Sequence, residues 1–235
     1  MTIIDDALKA LFSKHRIFCS EADFQFSLAW EIQKLCKEND QVWLEYTPKE
    51  LVDNKAIHIE IVVFLQKNAE EKAKIIPIEL KYKTEQLCGE KDGKQINLKK
   101  QSAQDTGRFD FIKDIHRMEE YIKSSGDNIQ TAYAIFLMND PKYWEEGKHR
   151  TNDEEFQIYE GARITGKRKW SEKASAGSKG GRSDNIEISG EYTIKWNIYQ
   201  PTFSFKTDEK NKKPEKIYDE FRYTKVEIGK EDCKC

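Results

Sequence analysis

The chain predicts an α/β domain: a central mixed β-sheet flanked by helices, with a β-rich C-terminal extension. Three observations predict it. Apolar residues recur at helical spacing in two early segments and again after residue 108. Between and beyond these helices lie strongly β-forming runs at 41–46, 56–65, 75–83 and 131–138. From residue 155 onward the pattern changes to short aromatic-rich segments. Helices and strands following one another in this order imply layers packed on a mixed sheet.

Thr2 precedes Ile3 and Ile4, Asp5 sits in the first turn, and Ala7, Leu8, Leu11 and Phe12 form an apolar stripe, which together mark a first helix. Ser20 caps a second helix with Asp23 three residues on, and Phe24, Leu28, Ile32 and Leu35 recur at helical spacing. Gln41–Tyr46 (QVWLEY) reads as a strand stopped by Pro48. Ala56–Leu65 (AIHIEIVVFL) and Ile75–Lys83 (IIPIELKYK) read as two more strands, joined closely enough to be antiparallel. Residues 84–104 read as a Lys- and Gly-containing loop. A long helix follows from Arg108 to Ser124, with Phe111, Ile115, Met118 and Ile122 on one face. Thr131–Met138 (TAYAIFLM) is an apolar strand closed by Asn139-Asp140-Pro141. Beyond it, Glu155–Tyr159, Tyr192–Tyr199 and Pro201–Phe205 read as short strands. Residues 1–140 thus form the α/β core, and 141–235 a β-rich extension packed on it as part of one compact unit.

The 235 residues are enough to bury a sizeable core. With 40 Lys+Arg against 42 Asp+Glu, the formal charge is −2, which excludes a globally basic nucleic-acid coat and leaves room for a local patch. Ile57–Leu65, interrupted by His58 and Glu60, is far shorter than a membrane span. The opening MTIIDDALKALF has neither a basic segment nor a small-residue cleavage site, so a cytoplasmic location is expected. Cys19, Cys36, Cys88, Cys233 and Cys235 form no Cys-x-x-Cys pair, and His15, His58, His116 and His149 do not cluster with them. This argues against a structural zinc site and for reduced thiols.

The chemistry is concentrated in the polar residues of the two adjacent strands. Ile57, Ile59, Ile61 and Val63 are expected on one face, with His58, Glu60, Val62 and Phe64 on the other. In the next strand Ile76, Ile78, Leu80 and Tyr82 share a face, and Glu79, Lys81 and Lys83 share its opposite. A register centred between Ala69 and Glu70 sets Glu60 across from Glu79, with Cβ atoms ~5 Å apart, where like charges destabilise a strand pair. A divalent cation with a preference for hard oxygen ligands, Mg²⁺ or Mn²⁺, would compensate. Lys81 leaves the same face two residues later. Glu-x-Lys on a solvated strand is ordinarily a surface ion pair worth under about 1 kcal/mol. The flanking Ile-Ile-Pro-Ile and Leu-Tyr instead describe a buried central strand, where charges need partners or a task.

An acidic residue in one strand followed by Glu79-Leu80-Lys81 in the next resembles the PD-(D/E)XK nuclease superfamily. The resemblance covers residues 20–138 in the order helix, strand, acidic strand, Glu-x-Lys strand, helix, apolar strand. It implies a restriction-endonuclease-like fold and a metal-dependent nuclease. Glu60, Glu79 and the Leu80 carbonyl would ligate the metal, Lys81 would position or deprotonate the attacking water, and Glu21 of the preceding helix would serve a second metal or its water shell. Glu60 stands where the family usually has Asp, and Asp53 is a rival for that role. Gln101 and Gln104 are candidates for an additional polar residue, though each reads as an ordinary loop amide. Asp114–Arg117 and Asp110–Lys113 read as helix-surface pairs, and His116 as an exposed histidine rather than a base.

Residues 161–182 hold Arg163, Lys167, Arg168, Lys169, Lys173, Lys179 and Arg182 against Glu172 alone. Lys167, Arg168, Lys169, Lys179 and Arg182 are therefore candidate phosphate contacts, which bind strongly and without sequence preference. Lys91, Lys94, Lys99 and Lys100 add to them, and Trp144, Trp170 and Trp196 are contact or core residues. The expected function is a Mg²⁺-dependent DNA endonuclease of defence or repair acting on double-stranded DNA, with a homodimer among the assemblies it allows. The alternative is a degraded nuclease-fold protein that binds nucleic acid or a protein without cleaving.

Overall fold

A computed structural model describes residues 2–52, 55–66, 71–147, 151–182, 185–201 and 218–233. Helix α1 (Ile3–Phe12) begins at Thr2, whose hydroxyl accepts from the Asp5 N–H while the Asp5 carboxylate accepts from the Thr2 N–H, a reciprocal cap. Helix α2 (Glu21–Leu35) begins at Ser20, whose Oγ accepts from the Asp23 N–H at 3.1 Å. Phe24, Leu28 and Ile32 are buried as the spacing predicts, whereas Leu35, in the last turn, is 45% exposed.

Strands β1 (Gln41–Tyr46), β2 (Leu51–Val52), β3 (Lys55–Ala56), β4 (Ile59–Leu65) and β5 (Lys74–Lys83) follow. The run expected as one strand from Ala56 is thus divided at Ile57-His58. A hairpin of β6 (Leu87–Lys91) and β7 (Lys94–Leu98) occupies the segment expected as a loop. Asp92 and Gly93 both adopt left-handed backbone (φ 52° and 72°), the two-residue turn that matches strand twist. Leu87, Ile96 and Leu98 bury the hairpin. Helix α3 (Gln104–Ser124) then crosses over to β8 (Thr131–Met138), which lies parallel to β5.

The remaining elements are β9 (Arg163–Arg168), a single turn α4 (Ala176–Lys179), β10 (Ile186–Thr193), β11 (Trp196–Tyr199) and β12 (Phe221–Gly229). Glu154–Phe156 is a 3₁₀ turn where a strand was expected. The run Tyr192–Tyr199 breaks between β10 and β11, and of the strand expected at 201–205 only Pro201, outside any strand, is described. β9 itself lies within the basic segment 161–182, where no strand was expected.

The six-stranded sheet has the order β1-β4-β5-β8-β12-β11, with β5 and β8 parallel and every other neighbour antiparallel. The chain after residue 140 therefore supplies two strands of the central sheet, and its β9–β10 hairpin packs on α3. One sheet face buries Ile61, Val63, Ile78 and Leu80 under α1 and α2. The other buries Val62, Ala134 and Phe136 under α3 and the hairpin. Trp144, Trp170 and Trp196 all lie in this second core, and Trp170 stacks on Phe109 with ring centres 5.4 Å apart.

The β9–β10 ladder is irregular between Ile188 and Tyr192, and α3 supplies the missing acceptor. Glu119, fully buried, accepts from the N–H groups of Ser189 (2.9 Å) and Gly190 (2.8 Å) and from the Tyr192 hydroxyl (2.9 Å). Removing it leaves the buried Gly190 N–H and Tyr192 hydroxyl, and the part-buried Ser189 N–H, without their acceptor. Glu119→Ala is expected to lower unfolding stability by about 3 kcal/mol or more, read from the urea midpoint at unchanged slope.

Candidate active site

The site forms where β4 and β5 part. Their ladder runs from Leu65↔Lys74 to Ile61↔Ile78, so the register that places Glu60 across from Glu79 is the one the strand spacing predicts. Beyond Ile61↔Ile78 the chain around Glu60 turns to other partners. The Glu60 carbonyl accepts from Gln25 Nε2 of α2 at 2.8 Å, and Glu45, the neighbouring residue of β1, has left-handed backbone (φ 51°). The side-chain alternation also breaks here. Ile57 and Ile59 join the α3-side core with Val62, whereas Ile61 and Val63 join the opposite one, so the four do not share a face as expected.

Two carboxylates take over the N–H groups of β5 beyond Ile78. Glu60 Oε2 accepts from the Leu80 N–H and Glu21 Oε2 from the Tyr82 N–H, each at 2.7 Å. These bonds hold the strand edge and fix both acidic side chains beside Glu79-Leu80-Lys81. Glu21 thus approaches from the first turn of α2, as the sequence predicts.

On the α3-facing side of β5, Glu79 is buried to 2% exposure and Lys81 is 17% exposed. Lys81 Nζ lies 3.0 Å from Asp114 Oδ2, 3.3 Å from the Leu80 carbonyl and 3.8 Å from Glu60 Oε1. Arg117 reaches across from α3. Its Nη2 is 2.9 Å from Glu79 Oε1 and donates to the His58 carbonyl at 2.6 Å, and its Nη1 donates to Asp114 Oδ1 at 3.2 Å. The Asp114–Arg117 pair expected on the helix surface is therefore turned inward. The signal was present: Asp114 lies three residues after Phe111 and four before Met118, within the buried stripe. Asp110 pairs with Arg182, not with Lys113.

Burial is the first cause of the electrostatics. It pushes the Glu60 carboxyl up to about 8, with Glu21 and Asp114 adding to the rise and Lys81 opposing it. Burial, then Asp114, pushes Glu79 well above the usual carboxylate range, and Arg117 offsets only part of this. For Lys81 burial is again the largest influence and would lower the pKa, but Asp114, Glu60 and Glu79 together outweigh it and hold the ammonium above its ordinary range.

Glu21, Glu60, Glu79 and Asp114 face only Lys81 and Arg117, leaving an excess of two formal negative charges. Glu79 Oε1 and Asp114 Oδ2 are buried at ion-pair distance from a cation without hydrogen-bonding geometry. As the side chains stand, no three carboxylate, imidazole or thiolate groups among the described residues converge on one point. The excess charge, the hard oxygen donors and the two incompletely satisfied oxygens nevertheless suit Mg²⁺ or Mn²⁺.

The remaining candidates lie elsewhere. Gln101 pairs with Thr84, and Gln104 with Asp140, both away from the cluster. His116 Nδ1 donates to the Glu187 carbonyl at the lip of the cleft. Asp53 lies outside the described residues. In the basic segment, the Arg168 guanidinium is half-buried and donates to the carbonyls of Glu155, Arg163 and Thr165, and Arg182 makes a two-pronged pair with Asp110. Both arginines, expected as phosphate contacts, are thus committed to holding the fold. Lys167 and Lys169 are exposed, and Lys179 is half-buried on α4.

Comparison of the chain with protein-family models, curated proteins and solved structures found no match. Among the described residues no helix is long and apolar enough to cross a membrane, and Cys19, Cys36, Cys88 and Cys233 carry free thiols.

The raised Glu60 carboxyl has a consequence for stability. Between its ordinary value of 4.5 and about 8 the folded state holds a proton that the unfolded chain has lost. Metal-free stability is therefore full at the acidic end of this window and falls as pH rises through it. Glu60→Gln is expected to flatten this decline, measured as melting temperature against pH in EDTA. An unchanged slope in the variant would contradict the assignment.

Proposed function

We propose that the chain is a metal-dependent phosphodiesterase acting on DNA, with catalysis of the PD-(D/E)XK type. The observation that carries this reading is the buried Glu79 and Lys81 side by side on β5, with Glu60 at the parting of β4 and β5. The element order supports it as well: α2, β1, β4, β5, α3 and β8 follow the sequence of elements that the resemblance implies, apart from the small β2–β3 and β6–β7 ribbons. Such chemistry needs an ion site and a fixed cation at the phosphate, and this cluster contains the residues for both.

In this reading Glu60, Glu79 and the Leu80 carbonyl hold Mg²⁺ or Mn²⁺, with Asp114 beside them and Glu21 reaching the same edge. When bound, the ion lowers the pKa of the attacking water and neutralises charge developing on the phosphate. The protein's own contributions are positional. Glu21 and Glu60 fix the β5 edge through the Tyr82 and Leu80 N–H groups. Lys81, kept cationic by three carboxylates, orients the water and faces the phosphate oxygens rather than taking a proton. Arg117 holds Glu79 and Asp114 against their mutual repulsion.

A second reading has one observation in its favour. Arg117 and Lys81 already partner the carboxylates, as they would in a nuclease-like scaffold that binds without cleaving. Supercoiled and single-stranded circular DNA, incubated with the protein and Mg²⁺ or Mn²⁺, separate the two. Under the catalytic reading the wild type nicks or linearises DNA, and Glu79→Gln and Lys81→Met each slow this by at least about 100-fold. Full-rate cleavage by both variants would remove the site assignment, and salt-sensitive binding with no cleavage by the wild type would favour the scaffold.

A further inference from the structure

Glu60, Glu79 and Lys81 form the floor of a cleft of about 730 Å³ between β3–β4, α3 and the start of β10. Its upper walls have the opposite character. Lys55 on β3 and Lys113 on α3 line the cleft from two sides, with the imidazoles of His58 and His116 nearby. Neither lysine has an ion-pair partner among the described residues. Lys113 lies one helical turn before Arg117, so α3 presents a bridging guanidinium and a wall ammonium to the cleft together. Two acidic groups also face the cleft. Glu45 is held by Gln25 Nε2 at 2.6 Å, and Glu187, exposed on β10, gives its backbone carbonyl to His116.

Cations above a carboxylate floor are the arrangement expected of a phosphate-bearing ligand whose central phosphate meets a metal. The floor is deep, since Glu79 is almost wholly buried. The volume falls in the range of small-ligand sites, room for a short stretch of one strand. The convex cylinder of a duplex would rest across the walls with its phosphates held above the floor. The basic segment at 163–182, with Arg168 and Arg182 engaged internally, is less able to grip a backbone than its composition implies.

We propose that this cleft binds a single nucleic-acid strand, with Lys55 and Lys113 contacting the phosphates that flank the one presented to Glu60, Glu79 and Lys81. The proposal deepens the hydrolytic reading by naming its substrate as an unpaired strand, in place of the duplex expected from the sequence.

The test is fluorescence anisotropy with a labelled single-stranded oligonucleotide and the corresponding duplex, in Ca²⁺, across a salt series. The wild type is compared with the double variant Lys55→Ala/Lys113→Ala and with Lys167→Ala/Lys169→Ala. The expected result is tighter binding of the single strand than of the duplex, at least a 10-fold loss in the Lys55/Lys113 variant, and a log–log salt slope shallower by about 1.4. The Lys167/Lys169 variant should lose under about 3-fold, since exposed lysines outside the cleft add only to the general field. Unchanged binding by the Lys55/Lys113 variant, or preference for the duplex, would overturn the proposal. The outcomes for the two readings separate. Expected binding without cleavage in Mg²⁺ or Mn²⁺ removes the hydrolytic reading and leaves the strand site. Cleavage with undiminished binding by the Lys55/Lys113 variant does the reverse.

Discussion

The burial of two opposite charges on one face of β5 constrains everything around them. Glu79 and Lys81 project from the middle of the sheet into the side covered by α3, where an unpaired charge is costly. Helix α3 meets that demand with Asp114 for Lys81 and Arg117 for Glu79, residues spaced so that both reach the sheet from one turn. The crossover from β5 to β8 through α3 brings these residues together, because parallel neighbours require a connection that spans the sheet face. The neutralisation is incomplete, and burial first, then the neighbouring carboxylates, raise the carboxyls of Glu60 and Glu79.

A second feature recurs in the fold. Where a strand loses its backbone partner, a carboxylate from another element takes its place. Glu60 and Glu21 do this for Leu80 and Tyr82 of β5, and Glu119 does it for Ser189 and Gly190 of β10. A buried N–H requires an acceptor, and a carboxylate satisfies it strongly. At β10 the outcome is structural, since the fully buried Glu119 spends both carboxylate oxygens on donors of that strand. At β5 the same device leaves acidic side chains at an opening edge beside a cleft, and that is the difference between a cap and a candidate site.

Much of this was legible in the chain. The caps at Thr2 and Ser20, the extents of β1 and β8, and the register bringing Glu60 to Glu79 all follow from short-range chemistry and two-residue periodicity. The β6–β7 hairpin was also written in the sequence, as Asp92-Gly93 between alternating residues, but the surrounding lysines gave the segment the look of a loop. The inward turn of Asp114 and Arg117 was harder to read, since an i,i+3 charge pair on a helix looks the same whether it faces water or a sheet. Similarly, the basic residues at 163–182 carry no mark of which guanidiniums will find carbonyl or carboxylate acceptors.

The sequence by itself determined the α/β layering, the helix starts, the strand that carries Glu79 and Lys81, and the pairing that sets Glu60 beside them. These depend on capping, periodicity and local β-propensity, all of which act over a few residues. Only the tertiary structure decided which charges meet. It placed α3 over β5, joined β11 and β12 to the sheet and withdrew Arg168 and Arg182 into the fold. It also set Lys55 and Lys113 on the walls of a cleft above the acidic floor. Those outcomes depend on burial and on partners distant in the chain, and the strength of a charge's interactions is set by the dielectric that packing creates around it.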